Sequence, residues 1–303
     1  EEAGKLDTFH KDFLGDAFSS ETKELVAEYI RDKGVKIDLI VYSLASGVRK
    51  NEATGETVRS QIRPLRKAVT GNASDISKNE VTEITIEPGD ETAIEDTVFV
   101  MGGGDWQDWV NYFDNKDLLN KKVKTIAYTY IGSETTSDIY RGGTLGKAKE
   151  DLEQKAHEMN ELLASKYHGE ALVSSSKGIV SKASVFIPSM PIYVSCLFEV
   201  MTKKGTHETT LAHKHRLFKD MVYGDKRILD KKGRIRLDHL EMEPITQKAV
   251  SELMETIKDD TIFELKGTQM FLDEFYQING FKYDIIDYDK EVDLEALSQK
   301  ELK

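Results

Sequence analysis

The chain has 303 residues, 39% hydrophobic and 32% charged, which supports a core for one large domain or two smaller ones and excludes a disordered or low-complexity chain. A net charge of −12 repels phosphate backbones, so nucleic acid is not expected as a partner, although a small pocket can still be locally basic. The single cysteine, Cys196, excludes an intrachain disulfide and a cysteine-rich zinc site, which fits a reducing cytoplasm; in its apolar run VSCLF it reads as an inert buried thiol.

The chain opens without a signal-peptide pattern, and a first residue of Glu rather than Met reads as a cut or processed start. Leu14 to Phe18 reads as the end of a strand. SSETKELVAEYIRDKG then reads as a helix, with serines at its cap, Leu25, Val26, Tyr29 and Ile30 on one face, and Gly34 at its stop. The apolar run KIDLIVYSLAS has the length of a strand buried on both faces of a parallel sheet. Residues 48–95 are less regular, and the alternation in TEITIEP suggests a small β insertion.

Helical periodicity returns in TAIEDTVFVM and DWQDWVNYF, on either side of three glycines. KVKTIAYTYIG is a second buried strand, and a long helix from about Thr144 follows, with Leu145, Ala148, Leu152, Ala156, Met159 and Leu163 on its buried face. EALVSSSKGIV is a further strand. The most hydrophobic stretch, Val185 to Val200, is too short and too interrupted by proline for a membrane span and reads as buried wall. Beyond it the chain is mostly helical. Strands alternating with helices predict an α/β fold, a doubly wound parallel sheet with a β insertion and extra C-terminal helices. Ligands bind beyond the carboxyl ends of such strands, which directs attention to the residues after YSLAS, YTYIG and SSSKG.

The stretch AYTYIGSETTSDIYRGGTLGKAKEDLE places Tyr130 after a strand, Tyr140 ten residues later, and Lys147 and Lys149 in the next helix. A phenol can donate to an oxygen that gains negative charge, while a nearby ammonium favours that polarisation and holds a ribose. Gly142 and Gly143 break helical continuity, so the helix is expected to start with Thr144 as its cap and to leave Tyr140 in the preceding loop. Lys147 and Lys149 then point in different directions, and spacing does not choose between them.

Other patterns lead nowhere catalytic. VMGGGDW lies between helical segments rather than after a strand, GGTLGK has Arg141 where a phosphate-binding loop needs glycine, and no G-x-G-x-x-G follows a strand. His213 and His215 are two apart on a helix, whereas a metal pair needs four, so they read as a solvated face and no metal is expected. There is no G-x-S-x-G elbow.

Taken together, GDAFS (Gly15 to Ser19), DLIVYSLAS (Asp38 to Ser46), VMGGGDW (Val100 to Trp106), AYTYIG (Ala127 to Gly132), the run from Ile139 to Glu153, that from Lys177 to Tyr193, and RIRLDHLE (Arg234 to Glu241) resemble the trans-2-enoyl-CoA reductase family, which includes the V-type enoyl-acyl-carrier-protein reductases. The likeness spans nearly the whole chain, and the order and spacing of the blocks are specific.

The resemblance implies a single Rossmann-like reductase domain over residues 1–303, with residues 178–303 forming the substrate pocket and helical part. It implies NADH-dependent reduction of the trans-2 double bond of an enoyl-CoA or acyl-carrier-protein thioester in fatty-acid synthesis, in a cytoplasmic monomer or weak dimer. The family's Tyr-x8-Lys signature falls on Tyr140 and Lys149, with Lys147 a second candidate and Tyr130 a second active-site tyrosine. Asp16 and Ala17 correspond to positions near the adenine, and Ser43, Leu44 and Ala45 to the strand end beside the cofactor. Ser181 stands where the family has Thr near the nicotinamide, and Ile187 and Pro188 fall in the substrate wall. The family's opening strand and glycine-rich turn do not precede Glu1, so the chain is expected to be truncated and to expose a sheet edge. The competing expectations are a dehydrogenase or ketoreductase acting on another carbonyl and a non-catalytic fragment that binds acyl thioesters.

Overall fold

The computed structural model describes residues 11–44, 46–75, 80–133, 137, 140–181, 190–257 and 261–293. Residues 11–19 turn rather than end a strand. The Asp16 carboxylate accepts from the Phe18 amide and the Asp16 carbonyl from the Ser19 amide, which bends the chain into the first helix. That helix, α1 (Ser20–Asp32), is capped by Ser19 Oγ accepting from the Thr22 amide.

The strand β1 (Ile37–Tyr42) leads into two antiparallel hairpins, β2 (Val48–Lys50) with β3 (Thr57–Arg59) and β4 (Val69–Asp75) with β5 (Glu80–Ile86). Then come α2 (Glu91–Met101), α3 (Gly104–Asn115), β6 (Leu119–Thr129), α4 (Thr144–Tyr167) and β7 (Glu170–Ser175). The chain continues through α5 (Met190–Lys203), α6 (Thr210–Arg216) with a π-helical turn at Leu217–Val222, β8 (Ile235–Arg236), α7 (Pro244–Thr256) and α8 (Lys266–Ile278).

β1, β6, β7 and β8 form one parallel sheet in that order. Parallel neighbours need crossovers, and helices supply them on both faces. One face carries α1, α3 and α4, whose Ala27, Trp106, Val110, Leu152 and Met159 pack with Val123 and Ala127 of β6. The other carries Leu217, Met221 and Leu237 against Ile126 and Leu172. Trp106 is fully buried and its indole N–H donates to Thr125 Oγ1 at 2.7 Å, so the ring leaves water without an orphaned donor.

β1 differs from the expectation of a strand buried on both faces. It pairs only with β6 among the described residues, and Val41 is 43% exposed, so it is an edge. Its far end is tied down by a buried ionic cluster: Asp105 receives Lys23 Nζ at 2.8 Å and the Tyr42 hydroxyl at 3.1 Å, with Arg49 at 3.6 Å. That cluster joins α1, α3, β1 and the first hairpin. The glycines of VMGGGDW serve packing: a Cβ on Gly102 would lie 2.4 Å from the Val98 carbonyl oxygen, and Gly103 N–H donates to Asp151 of α4 at 2.8 Å.

Candidate active site

The parallel register aligns Tyr42 with Ala127 and Thr129 with Ser175, so β1, β6 and β7 deliver Ser43, Tyr130 and Ser176 to one edge of the sheet. Tyr130 leaves β6 directly into this edge and is 7% exposed. Tyr140 returns to it from the turn before α4. The two rings meet edge to face with centroids 4.8 Å apart and planes at 79°.

Several contacts hold the Tyr140 turn. Gly142 N–H donates to the Ser137 carbonyl at 2.7 Å, and the Arg141 guanidinium binds Glu153 one face further along α4. Glu153 also receives Arg234 at 3.0 Å, which ties this turn to β8. Thr144 is the first residue of α4 rather than its cap, and Gly143 precedes the helix. The Thr144 hydroxyl serves the insertion instead: it donates to the Gln61 carbonyl at 2.5 Å and accepts from the Arg63 amide at 3.1 Å. Ile62 and Val69 of the same insertion pack in the apolar cluster that holds Tyr140.

Burial pushes the Tyr140 phenol up to about 12, against a smaller opposing effect of Arg141, so it is a neutral donor across the physiological range. Burial likewise pushes the Lys149 ammonium down to about 8, helped by Arg141 and opposed by Glu153. Among the described residues neither the Tyr140 hydroxyl nor the Lys149 amine makes a hydrogen bond. Lys147 is exposed and pairs with Glu150 at 2.8 Å, on the outer side of the helix.

The Tyr130 hydroxyl, by contrast, is engaged: it donates to Glu241 Oε1 at 3.1 Å. Glu241 is fully buried and also accepts from the Tyr193 hydroxyl at 2.6 Å and the Gly178 amide at 2.8 Å. Sequence reasoning passed over Glu241 and Arg141. The only signal for either was its place at the edge of a block already quoted, since a lone Glu or Arg has no diagnostic spacing.

Of the other expected cofactor positions, Asp16, Ser43 and Leu44 are exposed and Ala17 is half-buried, its carbonyl accepting from Trp109 Nε1 at 3.0 Å. Ser181 is half-buried directly after Val180, which belongs to the Tyr130 cluster. Ala45, Ile187 and Pro188 lie outside the described residues. Cys196 is buried, and its thiol is pushed up to about 12 by burial.

His213 is a correction to the solvated-face reading. It is fully buried, with Nδ1 on Glu208 at 2.9 Å and Nε2 accepting from the Lys177 amide at 3.2 Å, and burial pushes it down to about 3. Helical spacing shows that two histidines diverge but does not show which one turns inward. No metal-binding group of three or more such residues occurs among the described residues.

A family model described as the trans-2-enoyl-CoA reductase catalytic region matches residues 1–223, and one described as the enoyl reductase FAD binding domain matches residues 229–292. The trans-2-enoyl-CoA reductase (NADH) of Ruminiclostridium cellulolyticum is 40% identical over 288 residues, 95% of this chain and 73% of that protein. The enoyl-acyl-carrier-protein reductase (NADH) of Burkholderia multivorans is 40% identical over 278 residues, 92% of this chain and 69% of that protein. The crystal structure of a Clostridium acetobutylicum trans-2-enoyl-CoA reductase in complex with NADH superposes with a TM-score of 0.95 at 40% identity, covering 99% of this chain and 76% of that one. By the family model over most of its length and by these relatives at 40% identity, the chain belongs to the trans-2-enoyl-CoA reductase family.

Proposed function

We propose that this chain reduces the trans-2 double bond of an enoyl thioester to the saturated acyl thioester with NADH, and that Tyr140 and Lys149 carry the reaction. The observation that supports Tyr140 is a neutral phenol set edge to face on Tyr130 and making no hydrogen bond among the described residues; Lys149, likewise without one among them, is a desolvated amine in the helix that follows. Bound NADH would supply the hydride for the β carbon of the enoyl group, and a proton taken up at the α carbon completes the saturated thioester. The donor set fits such a cofactor: the Lys149 amine, without a hydrogen bond among the described residues, would suit a ribose diol, and the exposed Asp16, Ser43 and Leu44 with the half-buried Ala17 would be open to an adenosine half.

As negative charge moves onto the thioester oxygen, Tyr140 donates a hydrogen bond that strengthens toward the enolate, so it stabilises the transition state more than the ground state. The Lys149 ammonium favours the same polarisation. The walls around Tyr140 are apolar, with Ile62 and Val69 from the insertion and Val180, Met190 and Val194 from the β7 turn and α5. We assign the acyl tail to this cluster, so the insertion at residues 48–95 and the helices after residue 178 together form the substrate pocket.

A flavin does not fit residues 229–292. Among the described residues, α7, the 3-10 turn Ile262–Glu264 and α8 pack on α5 through Val250, Ile262 and Phe271. The cavity between α5 and α8 is about 20 Å³, close to one water.

Relatives named for coenzyme A thioesters and for acyl-carrier-protein thioesters match at the same 40% identity, so the carrier is proposed as either. No described helix is long and apolar enough to cross a membrane. We place the enzyme in the cytoplasm because its single thiol is buried and unpaired.

The test is loss of NADH absorbance on adding crotonyl-CoA to the chain. Steady consumption that requires the thioester supports the reading. Consumption with simple ketones but not with crotonyl-CoA would replace it with a carbonyl reductase.

A further inference from the structure

Glu241 stands out among the buried carboxylates because it makes no ion pair within 4.0 Å among the described residues and is ringed by donors, whereas Asp105, Glu153, Glu199 and Asp238 are paired. It follows the short 3-10 turn Leu237–Leu240 after β8 and is 0% exposed. Oε1 takes the hydroxyls of Tyr130 and Tyr193, and Oε2 takes the Gly178 amide. Gln247 of α7 closes the ring, donating to the Tyr193 hydroxyl at 3.0 Å and to the Glu241 carbonyl at 2.9 Å. Burying a carboxylate is unfavourable, and an apolar side chain of similar volume would pack here at lower cost. What an apolar residue cannot do is accept from three donors on three different segments. A carboxylate has about four acceptor sites and no donor, so it suits this position where an amide does not.

The three donors are not scattered. Tyr130 is the ring on which Tyr140 rests, Gly178 begins the turn leading to Ser181, and Tyr193 lies in α5, the wall assigned to the acyl tail. We propose that Glu241 is a positioning residue for enoyl reduction: through its two carboxylate oxygens it fixes the Tyr130 ring behind Tyr140 and the Gly178 turn beside it, and so sets where the Tyr140 hydroxyl meets the thioester oxygen. The proposal rests on the reading of Tyr140 as the donor to that oxygen.

The charge state of Glu241 enters its role. Burial pushes it up to about 7, opposed by the bonds from Tyr193 and Gly178 and by the nearby Lys177 ammonium, while Asp238 pushes it further up. Lys177 is faced in turn by Glu208 and Glu274, and Tyr130 and Tyr193 are both held neutral by burial and by Glu241 itself. Below about 7 the carboxyl gains a proton, which makes it a weaker acceptor for the three groups and puts an O–H donor among donors.

The experiment compares Glu241→Gln, Tyr130→Phe, their double variant and Tyr140→Phe, using crotonyl-CoA and NADH. Glu241→Gln keeps the volume, and its thermal unfolding is checked against the wild type. The expected result is a fall in kcat on the order of tenfold with the NADH KM within about twofold, and a smaller loss when Tyr130 is already Phe. Wild-type kcat is expected to fall as the pH drops through about 7, and Glu241→Gln to lose that acid limb. A folded Glu241→Gln enzyme with wild-type kcat, or with the same loss in both Tyr130 backgrounds and an unchanged pH profile, overturns the proposal. If Glu241→Gln does not fold, Tyr193→Phe, which removes one donor to Oε1, should lower kcat and move the acid limb to higher pH, and an unchanged kcat and profile in that variant overturn the proposal. An active Tyr140→Phe enzyme would instead overturn the reading of Tyr140.

Discussion

Tyr130 and Tyr140 meet edge to face at the end of β6, and only one of the two hydroxyls is engaged: Tyr130 donates to Glu241, while Tyr140 makes no hydrogen bond among the described residues. This asymmetry divides the pair into a fixed wall and an available donor. The Tyr130 ring packs against Tyr140, and its own proton is committed to Glu241.

Tyr140→Phe removes the donor and keeps the ring. Removing one preorganised donor to a developing oxyanion costs roughly 100- to 1000-fold in turnover. The expected outcome is a loss of kcat of about that size, with the NADH dissociation constant within about twofold of wild type by fluorescence titration. Equal losses in turnover and cofactor affinity would place Tyr140 on the cofactor instead.

Lys149 gives a prediction with a definite sign. Its ammonium is depressed to about 8 by burial, so it loses its charge as the pH rises through that value rather than near 10.5. If the ammonium holds the cofactor ribose, NADH affinity should be full below pH ~8 and decline above it, as the depressed lysine loses the proton it donates. Lys149→Met should bind NADH weakly and show no such decline. Titrations of both proteins between pH ~7 and ~9 distinguish these outcomes.

The arrangement of strands and helices was legible because periodicity encodes burial. The stripe of Leu145, Ala148, Leu152, Ala156, Met159 and Leu163 predicts α4, and all six are buried. β1 was read as covered on both faces because an apolar run of strand length reads the same whether one neighbour or two cover it; the exposed edge at Val41 was expected only from the family resemblance. The site was legible only in outline. Resemblance pointed to Tyr140 and Lys149, but Arg141 and Glu241 act through contacts 12 and 111 residues away in sequence, which no local pattern records. His213 was misread likewise, because its partners Glu208 and Lys177 are set by the turn before α6 and by the end of β7.

Gly146 locks the Tyr140 turn onto α4. A Cβ there would lie 2.1 Å from the Arg141 carbonyl oxygen and 2.6 Å from its carbonyl carbon, a clash with backbone that no rotamer relieves. Gly146→Ala should therefore displace the turn and destabilise the fold by ~1–3 kcal/mol. Turnover should fall further than the loss of stability explains, because Tyr140 precedes Arg141 directly. Chemical denaturation with kcat measured on the folded fraction checks both parts. A variant with unchanged stability and turnover would show that the turn can shift without moving the donor.

Glu170 links stability to pH at the opposite end of the sheet. At the start of β7 it binds Arg227 by two bonds of 2.7 and 2.9 Å and also pairs with Lys124 of β6. These cations hold its carboxyl down at about 2, against a smaller effect of burial. An acid depressed in the folded state stabilises the fold above its unfolded value of ~4.3, and that stability is lost as the pH falls through about 2. The full shift would correspond to ~3 kcal/mol, but the side chain is 28% exposed and solvent screens the pair, so ~1–2 kcal/mol is the expected contribution at neutral pH. Glu170→Gln should be less stable than wild type by that amount at pH ~7, and the difference should shrink toward zero near pH ~2. Urea unfolding of both proteins at the two pH values tests the sign. A gap that persists in acid would show that Glu170 stabilises the chain through packing rather than charge.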